Sequence, residues 1–315
     1  MIFPYTTLFR STGKFGDVIV GTTVSRDSYK NDITVAKNIK PGTKINEFRT
    51  NYAVFAQLSK DLGAGYTATV GARETVVEAN KRYHAFTPQF ALLKKLDNNS
   101  SLYANAAKSF KMPTFTQIYG GGGANFAANP LLEPEEGWTY EFGYKKTSNT
   151  SMFKAALYYM DLDTIEYEGK GTSSNPYVTR NMSFKNKGLE MTYEKDFGSK
   201  YSYSLGANFC NPMGKNKKGV WERKFAREQY NAGIKYHDAK FNAALTGMFT
   251  TDRASGWGDL LPVNFIAGYK FDKSSSVELG VENIFDRDDI VSNPGSATKY
   301  YCLPRMVHVT YTYTF

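Results

Sequence analysis

Val307-His308-Val309-Thr310-Tyr311-Thr312-Tyr313-Thr314-Phe315 alternates without a break. Val307, Val309, Tyr311, Tyr313 and Phe315 fall on one face of a strand, and His308, Thr310, Thr312 and Thr314 on the other. Two settings suit such a strand. One is the edge of a soluble sheet over a dry core. The other is a boundary between lipid and a wet interior, where Tyr and Phe settle at the interface.

Composition favours the second. Aromatics make up 15% of the 315 residues, with 23 Tyr and 22 Phe, yet the apolar fraction is only 41% and mean hydropathy is -0.46. A soluble domain this aromatic needs a larger core. A barrel turns its rings to lipid and its polar residues to a wet lumen. No run approaches the ~18 apolar residues of a membrane helix. The final strand resembles the terminal strand of bacterial outer-membrane β-barrels, whose last Phe belongs to a signal read by the barrel-assembly machinery. By that resemblance Tyr311, Tyr313 and Phe315 form the assembly signal.

Working outward, the same period recurs. Tyr201 to Phe209 places Tyr201, Tyr203, Leu205, Ala207 and Phe209 outward, with Ser202, Ser204, Gly206 and Asn208 inward. Phe241 to Phe249 turns Asn242, Ala244, Thr246 and Met248 inward, and Val263 to Phe271 turns Asn264, Gly268 and Lys270 inward. Further runs lie near 15–25, 46–60, 65–78, 82–96, 99–110, 138–147, 151–165, 178–197, 226–237 and 275–285, about fourteen strands in all. The predicted fold is all-β: an antiparallel transmembrane barrel fragment, one domain over 12–315.

Connections alternate in length. Short turns fall at 61–64, 97–99, 147–149, 198–200, 237–238 and 272–274, all with turn chemistry. Long links fall at 26–45, 111–137, 166–177, 212–225, 252–261 and 286–303, with 79–81 a short exception. Short turns at one end and long loops at the other match outer-membrane barrels. A periplasmic C-terminus then puts every long loop outside the cell.

The start reads differently. Phe3-Pro4-Tyr5-Thr6-Thr7-Leu8-Phe9-Arg10-Ser11 resembles one reading frame of a common short-read sequencing adapter. Residues 1–11 are therefore expected to be an artefact without a selected partner, and to be poorly ordered. No secretory signal is visible, which an outer-membrane protein requires.

Three segments carry a sharper resemblance. The first runs from Tyr103 through Ser109-Phe110-Lys111-Met112-Pro113 and a glycine run to Asn129-Pro130-Leu131-Leu132-Glu133-Pro134-Glu135. The second is Asn181 to Lys187-Gly188-Leu189-Glu190. The third is Gly280-Val281-Glu282-Asn283-Ile284-Phe285-Asp286, followed by Pro304-Arg305. In order, they resemble the C-terminal barrel of TonB-dependent outer-membrane receptors. The resemblance implies a barrel of about 22 strands around an N-terminal plug. It also implies uptake of scarce nutrients driven through the plug by the TonB complex. This chain is then the C-terminal part of the barrel, without plug or first strands, and not competent for transport alone.

For the motif residues Phe110, Pro113, Asn129, Pro130, Pro134, Glu135, Gly188, Glu190, Asn283, Phe285, Asp286, Pro304 and Arg305, architectural roles are expected. Prolines end strands, Asn283 and Asp286 bond local backbone, Arg305 pairs with a loop carboxylate, and Glu190 faces the lumen. Ligand contacts are expected from the outer loops: Tyr119, Phe126, Tyr167, Trp221, Arg223, Arg253, Trp257, Arg287 and Lys299. Rings give apolar contact, and Arg gives forked donors to carboxylate or catecholate oxygens. The implied ligand is a ferric siderophore or cobalamin. Haem receptors of the family tend to carry a His between the first two proline motifs, and none occurs from Phe110 to Leu132.

Other classes fit poorly. The net charge of +9 is scattered, with no basic stripe for nucleic acid, and suits lipid headgroups or an anionic ligand. His84, His237 and His308 have no nucleophile motif, so no enzyme or catalytic residue is expected. Asp286, Asp288 and Asp289 lack calcium-loop spacing. No metal or cofactor is expected, and Cys210 and Cys302 are expected to be free. The alternative is a complete small outer-membrane barrel acting as a channel for diffusive or hydrophobic-ligand transport.

Overall fold

The computed structural model describes residues 5–33, 43–120, 126–169, 171–172, 174–253, 257–292 and 299–315. Its strands are β1 (Tyr5–Gly13), β2 (Gly16–Ile33), β3 (Thr43–Gly63), β4 (Tyr66–Glu78), β5 (Arg82–Lys95), β6 (Ser100–Lys111), β7 (Phe126–Ala127), β8 (Glu135–Thr147), β9 (Ser151–Glu168) and β10 (Tyr177–Phe197). They continue with β11 (Tyr201–Cys210), β12 (Met213–Lys215), β13 (Trp221–Arg223), β14 (Glu228–His237), β15 (Phe241–Thr251), β16 (Val263–Lys270), β17 (Ser275–Glu282), β18 (Ile290–Ser292), β19 (Tyr300–Tyr301) and β20 (Met306–Tyr313). One five-residue helix, α1 (Phe115–Tyr119), interrupts them.

Fourteen antiparallel ladders join β1, β2, β3, β4, β5, β6, β8, β9, β10, β11, β14, β15, β16, β17 and β20 into one meander of fifteen strands. Among the described residues, β1 pairs only with β2 and β20 only with β17, so no ladder closes the sheet. A complete small channel would need that ladder.

Two expectations are corrected. Disorder over residues 1–11 does not hold for 5–11: β1 is bonded to β2 from Tyr5↔Val24 to Gly13↔Gly16. It supplies the strand beyond the expected fourteen. Its described side chains from Thr6 to Gly13 are exposed, so its regular feature is the backbone ladder to β2. The long link expected at 26–45 is also shorter, because β2 runs to Ile33 and β3 begins at Thr43. Both faces are polar there, so no alternation marks the extension.

Register carries the two faces across the sheet, because directly opposed residues point the same way. On one face Leu58↔Val70↔Phe90↔Ala106, Phe142↔Leu157↔Leu189 and Leu245↔Phe265↔Val281 run in rows. Aromatic residues border these rows. Tyr66, Tyr144, Phe153, Tyr193, Tyr201, Tyr236, Tyr269 and Tyr313 lie toward the short turns. Trp138, Tyr140, Tyr159, Phe209, Tyr230 and Phe249 lie toward the loops. Neighbouring rings touch, as in Tyr201–Tyr236 at 5.0 Å and Phe209–Tyr230 at 5.6 Å between centroids. An apolar band between two aromatic girdles is the exterior of a lipid-spanning barrel.

The opposite face is polar: Glu141↔Tyr158, Glu190↔Asn208↔Gln229 and Thr246↔Asn264. Here glycine makes room for rings. A Cβ at Gly143 would lie 2.3 Å from the Tyr103 ring, and one at Gly188 would lie 2.5 Å from the Tyr158 hydroxyl. Laid over these gaps, Tyr103 donates to Glu141 at 2.5 Å and Tyr158 to Asn208 at 3.0 Å. Phe55 covers Gly21, and His308 covers Gly280, in the same way. His308 therefore takes the polar face, as alternation predicts.

Candidate functional site at the loop end

Two groups of side chains gather at the loop end. The first begins where β6 stops. Met112 packs with Val77 and Tyr83 in the one buried apolar cluster among the described residues, joined by Phe110. Because the 79–81 link is short, residues 112–120 lean inward past it toward β2 and β3. Pro113 is fully buried, and its carbonyl accepts from Arg49 Nη1 at 2.8 Å. Thr114 caps α1 through a capping box with Gln117. Phe115 then stacks on Tyr29, with centroids 5.8 Å apart and planes 9° apart, under the Arg49 guanidinium at 4.9 Å. Tyr119 stacks on Phe115 at 6.2 Å. Tyr29 Oη donates to the Gly120 carbonyl at 3.0 Å. Burial pushes the Tyr119 phenol above its usual range.

Tyr167 and Phe126 extend this lining. Phe126 meets Tyr167 edge-on at 6.0 Å and Tyr177 at 5.2 Å, because β7 adds in parallel to the start of β10. Gln117 Nε2 reaches Tyr167 Oη at 3.5 Å.

The motif residues hold this lining in place. Asn129 Nδ2 donates to the Thr179 carbonyl at 2.7 Å, and its Oδ1 accepts from Leu131 N at 3.0 Å. Asn181 grips Glu133 by both backbone groups, accepting from its N at 2.9 Å and donating to its carbonyl at 2.8 Å. Pro130 and Pro134 flank that grip. Glu135 accepts from Thr164 Oγ1 at 2.6 Å and Ile165 N at 2.8 Å, and pairs with Lys111 at 2.7 Å.

The second group is cationic. Arg180 bonds Glu166 and Glu168, and Lys224 and Lys217 from the 211–227 loop join the same two carboxylates at 2.8 and 3.1 Å. Burial pulls the Glu168 carboxyl upward, but Arg180 and Lys217 outweigh it and hold it below the usual range. Beyond them, Arg223 bonds Asp252 and donates to the Arg253 carbonyl at 2.7 Å. Arg287 forks onto Asp289 at 2.8 Å through both Nε and Nη2, holding that carboxyl down. Arg253 lies over Trp257 at 5.1 Å and donates to the carbonyls of Gly258 at 3.2 Å and Val291 at 3.5 Å. Of these three arginines, only Arg253 makes no ion pair within 4 Å among the described residues, although its charge still acts on Asp289.

The third motif ties this loop down. Asn283, at φ +49°, donates to the carbonyls of Arg287 at 2.7 Å and Leu303 at 2.9 Å, and accepts from Arg287 N at 3.1 Å. Asp286 accepts from Arg305 N at 2.8 Å and faces its guanidinium at 3.8 Å. Pro304 precedes that contact, and Phe285 is exposed.

Thus Tyr119, Phe126 and Tyr167 come together, as do Arg223, Arg253, Trp257 and Arg287. Trp221 stands apart, under Lys185 at 5.5 Å, and Lys299 is exposed. Sequence reasoning missed Tyr29, Arg49, Phe115 and Tyr177. Phe115 was within reach, two residues past the motif's Pro113. The other three reach the site only through long-range folding.

A family model described as TonB dependent receptor-like, beta-barrel, matches residues 3–284. The chain belongs to this family. Solved structures with the same fold include the FrpB iron transporter from Neisseria meningitidis, with TM-score 0.77 and 13% identity over 99% of this chain and 55% of that one. The copper transporter OprC gives 0.76 and 12%, over 99% and 56%. A ferric enterobactin receptor mutant from Pseudomonas aeruginosa, in complex with enterobactin, gives 0.76 and 15%, over 99% and 54%. The TonB-dependent receptor barrel seen here spans about half the length of these structures. No curated protein matches the chain by sequence.

Proposed function

We propose that this chain is the C-terminal barrel wall of an outer-membrane receptor for TonB-dependent uptake of a scarce nutrient. The ligand is a ferric siderophore ahead of cobalamin. The apolar band between aromatic girdles supports the outer-membrane setting, with the long loops extracellular and the C-terminus periplasmic. The TonB complex is the partner that drives uptake, acting through the plug of the whole receptor. Lipid and the barrel-assembly machinery are the remaining partners, the latter reading Tyr311, Tyr313 and Phe315.

The observation that carries the ligand reading is Arg253. Its guanidinium lies over Trp257 and, among the described residues, donates to backbone carbonyls, while Asp289 faces it from beyond ion-pair distance. An anionic aromatic chelate offers both a ring to stack and oxygens to accept. The stacked rings of Tyr29, Phe115 and Tyr119 supply a second wall. The neighbours include proteins named for iron transport and enterobactin, which is consistent with this choice. The test uses the full-length parent in detergent and a ferric catecholate titrated against tryptophan fluorescence. Saturable quenching, weakened about tenfold by Arg253→Ala, is expected. Tight cobalamin binding with no response to the catecholate would reverse the ligand order.

A further inference from the structure

At the turn end, the turns at 239–240 and 271–275 with β16, β17 and β20 border an open cavity of about 510 Å³ whose lining includes Lys240, Lys270, Lys273, Asp272, Ser276 and Thr312. Register assembles it. Lys270, Ser276 and Thr312 sit directly opposite one another on three successive strands. The Lys270 N–H donates to the Lys240 carbonyl at 2.8 Å, which brings the two lysines side by side. The one acid in the lining, Asp272, is occupied, as is Asp238 close by. Asp272 accepts from Ser274 N at 2.7 Å, Ser275 N at 2.8 Å and Ser275 Oγ at 2.7 Å. Asp238 accepts from Lys240 N at 2.9 Å, Phe241 N at 2.8 Å and Tyr236 Oη at 2.7 Å. Among the described residues Lys240, Lys270 and Lys273 make no ion pair, whereas Lys200 at the next turn faces Asp238 at 4.0 Å.

We propose that this cavity binds a phosphate ester. Three lysines and five hydroxyl residues line one space beside the single, already hydrogen-bonded carboxylate of Asp272, and a phosphate ester offers them more acceptor oxygens than a carboxylate does. Lys270, Ser276 and Thr312 face the polar side, so a soluble phosphate ester reaches them directly from water. Phe271 lines the same cavity and touches Tyr269 of the aromatic girdle at 5.3 Å, so a phospholipid headgroup reaches them only by curling past Phe271 at the rim. Neither source depends on the transport reading.

The chain in zwitterionic detergent is titrated with inorganic phosphate, and in nanodiscs with phosphatidylglycerol diluted into phosphatidylcholine, both followed by phosphorus NMR. The variant Lys240→Gln/Lys270→Gln/Lys273→Gln is compared with Lys60→Gln/Lys94→Gln/Lys146→Gln, which removes equal charge elsewhere on the turn-end rim. Saturable binding in either arm, weakened about tenfold by the first variant and under about twofold by the second, is expected. Binding of phosphatidylglycerol alone identifies the lipid as the source, and binding of inorganic phosphate as well identifies a soluble one. Equal weakening by both variants, no saturation in either arm, or tighter binding of oligoglutamate than of phosphate would overturn the proposal. If the first variant loses the β-sheet circular dichroism of the wild-type chain, Lys270→Gln alone carries the test, with about threefold weakening expected.

Discussion

The two ends of this sheet are fastened by opposite means. At the turn end, a side chain closes its own turn from two or three residues away. Asp61 holds Gly63 N at 2.8 Å, Asp97 holds Asn99 N at 2.7 Å, Ser148 holds Thr150 N at 3.3 Å, and Asp238 and Asp272 do the same for their turns. At the loop end the partners are distant: Tyr29 with Gly120, Arg49 with Pro113, Asn181 with Glu133, Lys224 with Glu166. Neighbouring turns touch, as where the Lys270 N–H donates to the Lys240 carbonyl, but each turn is closed by a side chain of its own. The loop end is a network in which each loop depends on its neighbours, and this is where a binding surface has to be held.

The sharpest way to break that contrast is Asn283→Ala. It removes three hydrogen bonds from a buried side chain and leaves an alanine at positive φ. A loss of about 2–3 kcal/mol is expected, read by urea unfolding in micelles. Proteolysis should appear within 284–303, and the Arg253 region should loosen with it. A purely local effect would deny the network. Asn181→Ala follows, at about 1–2 kcal/mol. Its expected signature is new cleavage between 113 and 134, some fifty residues away in the chain.

These positions also divide what the sequence discloses from what it hides. Period-two alternation gives the faces of β11, β15, β16 and β20 directly, because one side meets lipid and the other water. The turns at 97–99 and 272–274 are legible from Asp and Ser alone, because their bonds are local. The inward lean of 112–120 is not legible, since it rests on Tyr29 and Arg49, 91 and 64 residues from their partners. The β12–β13 hairpin and β18–β19 hide within polar loops that lack alternation. The candidate site was half legible. Loop aromatics and arginines are visible by type, but that Arg287 is locked onto Asp289 while Arg253 forms no ion pair among the described residues is a matter of three dimensions.

At the turn end, Asp272→Ala should do less than either asparagine change. Faster amide exchange is expected at Ser274 and Ser275, with no change at the next turn. Spread along the rim would join the two ends in character. Smallest of all is a pH effect. Backbone amides of Phe241 and Lys240, with the Tyr236 hydroxyl, depress Asp238 to about 2, against an ordinary 3.8. A depressed carboxyl stabilises the fold above its unfolded value and loses that contribution as pH falls through the folded one. Wild type should therefore exceed Asp238→Asn in melting temperature at pH 6, and the gap should close between about pH 4 and pH 2. A constant gap across that range would mean the charge is irrelevant to the turn.

The rings laid over glycines have a consequence for inheritance. Tyr158 and Gly188 sit on adjacent strands, thirty positions apart in the chain, yet neither is free to change alone. A methyl group at Gly188 displaces the ring, and loss of the ring uncovers bare backbone. The same holds for Tyr103 with Gly143, Phe55 with Gly21 and His308 with Gly280. Each ring constrains its glycine, and at Gly188 and Gly21 the Phe209 and Thr7 carbonyls, 2.5 and 2.8 Å from an added Cβ, hold the glycine in place even without the ring.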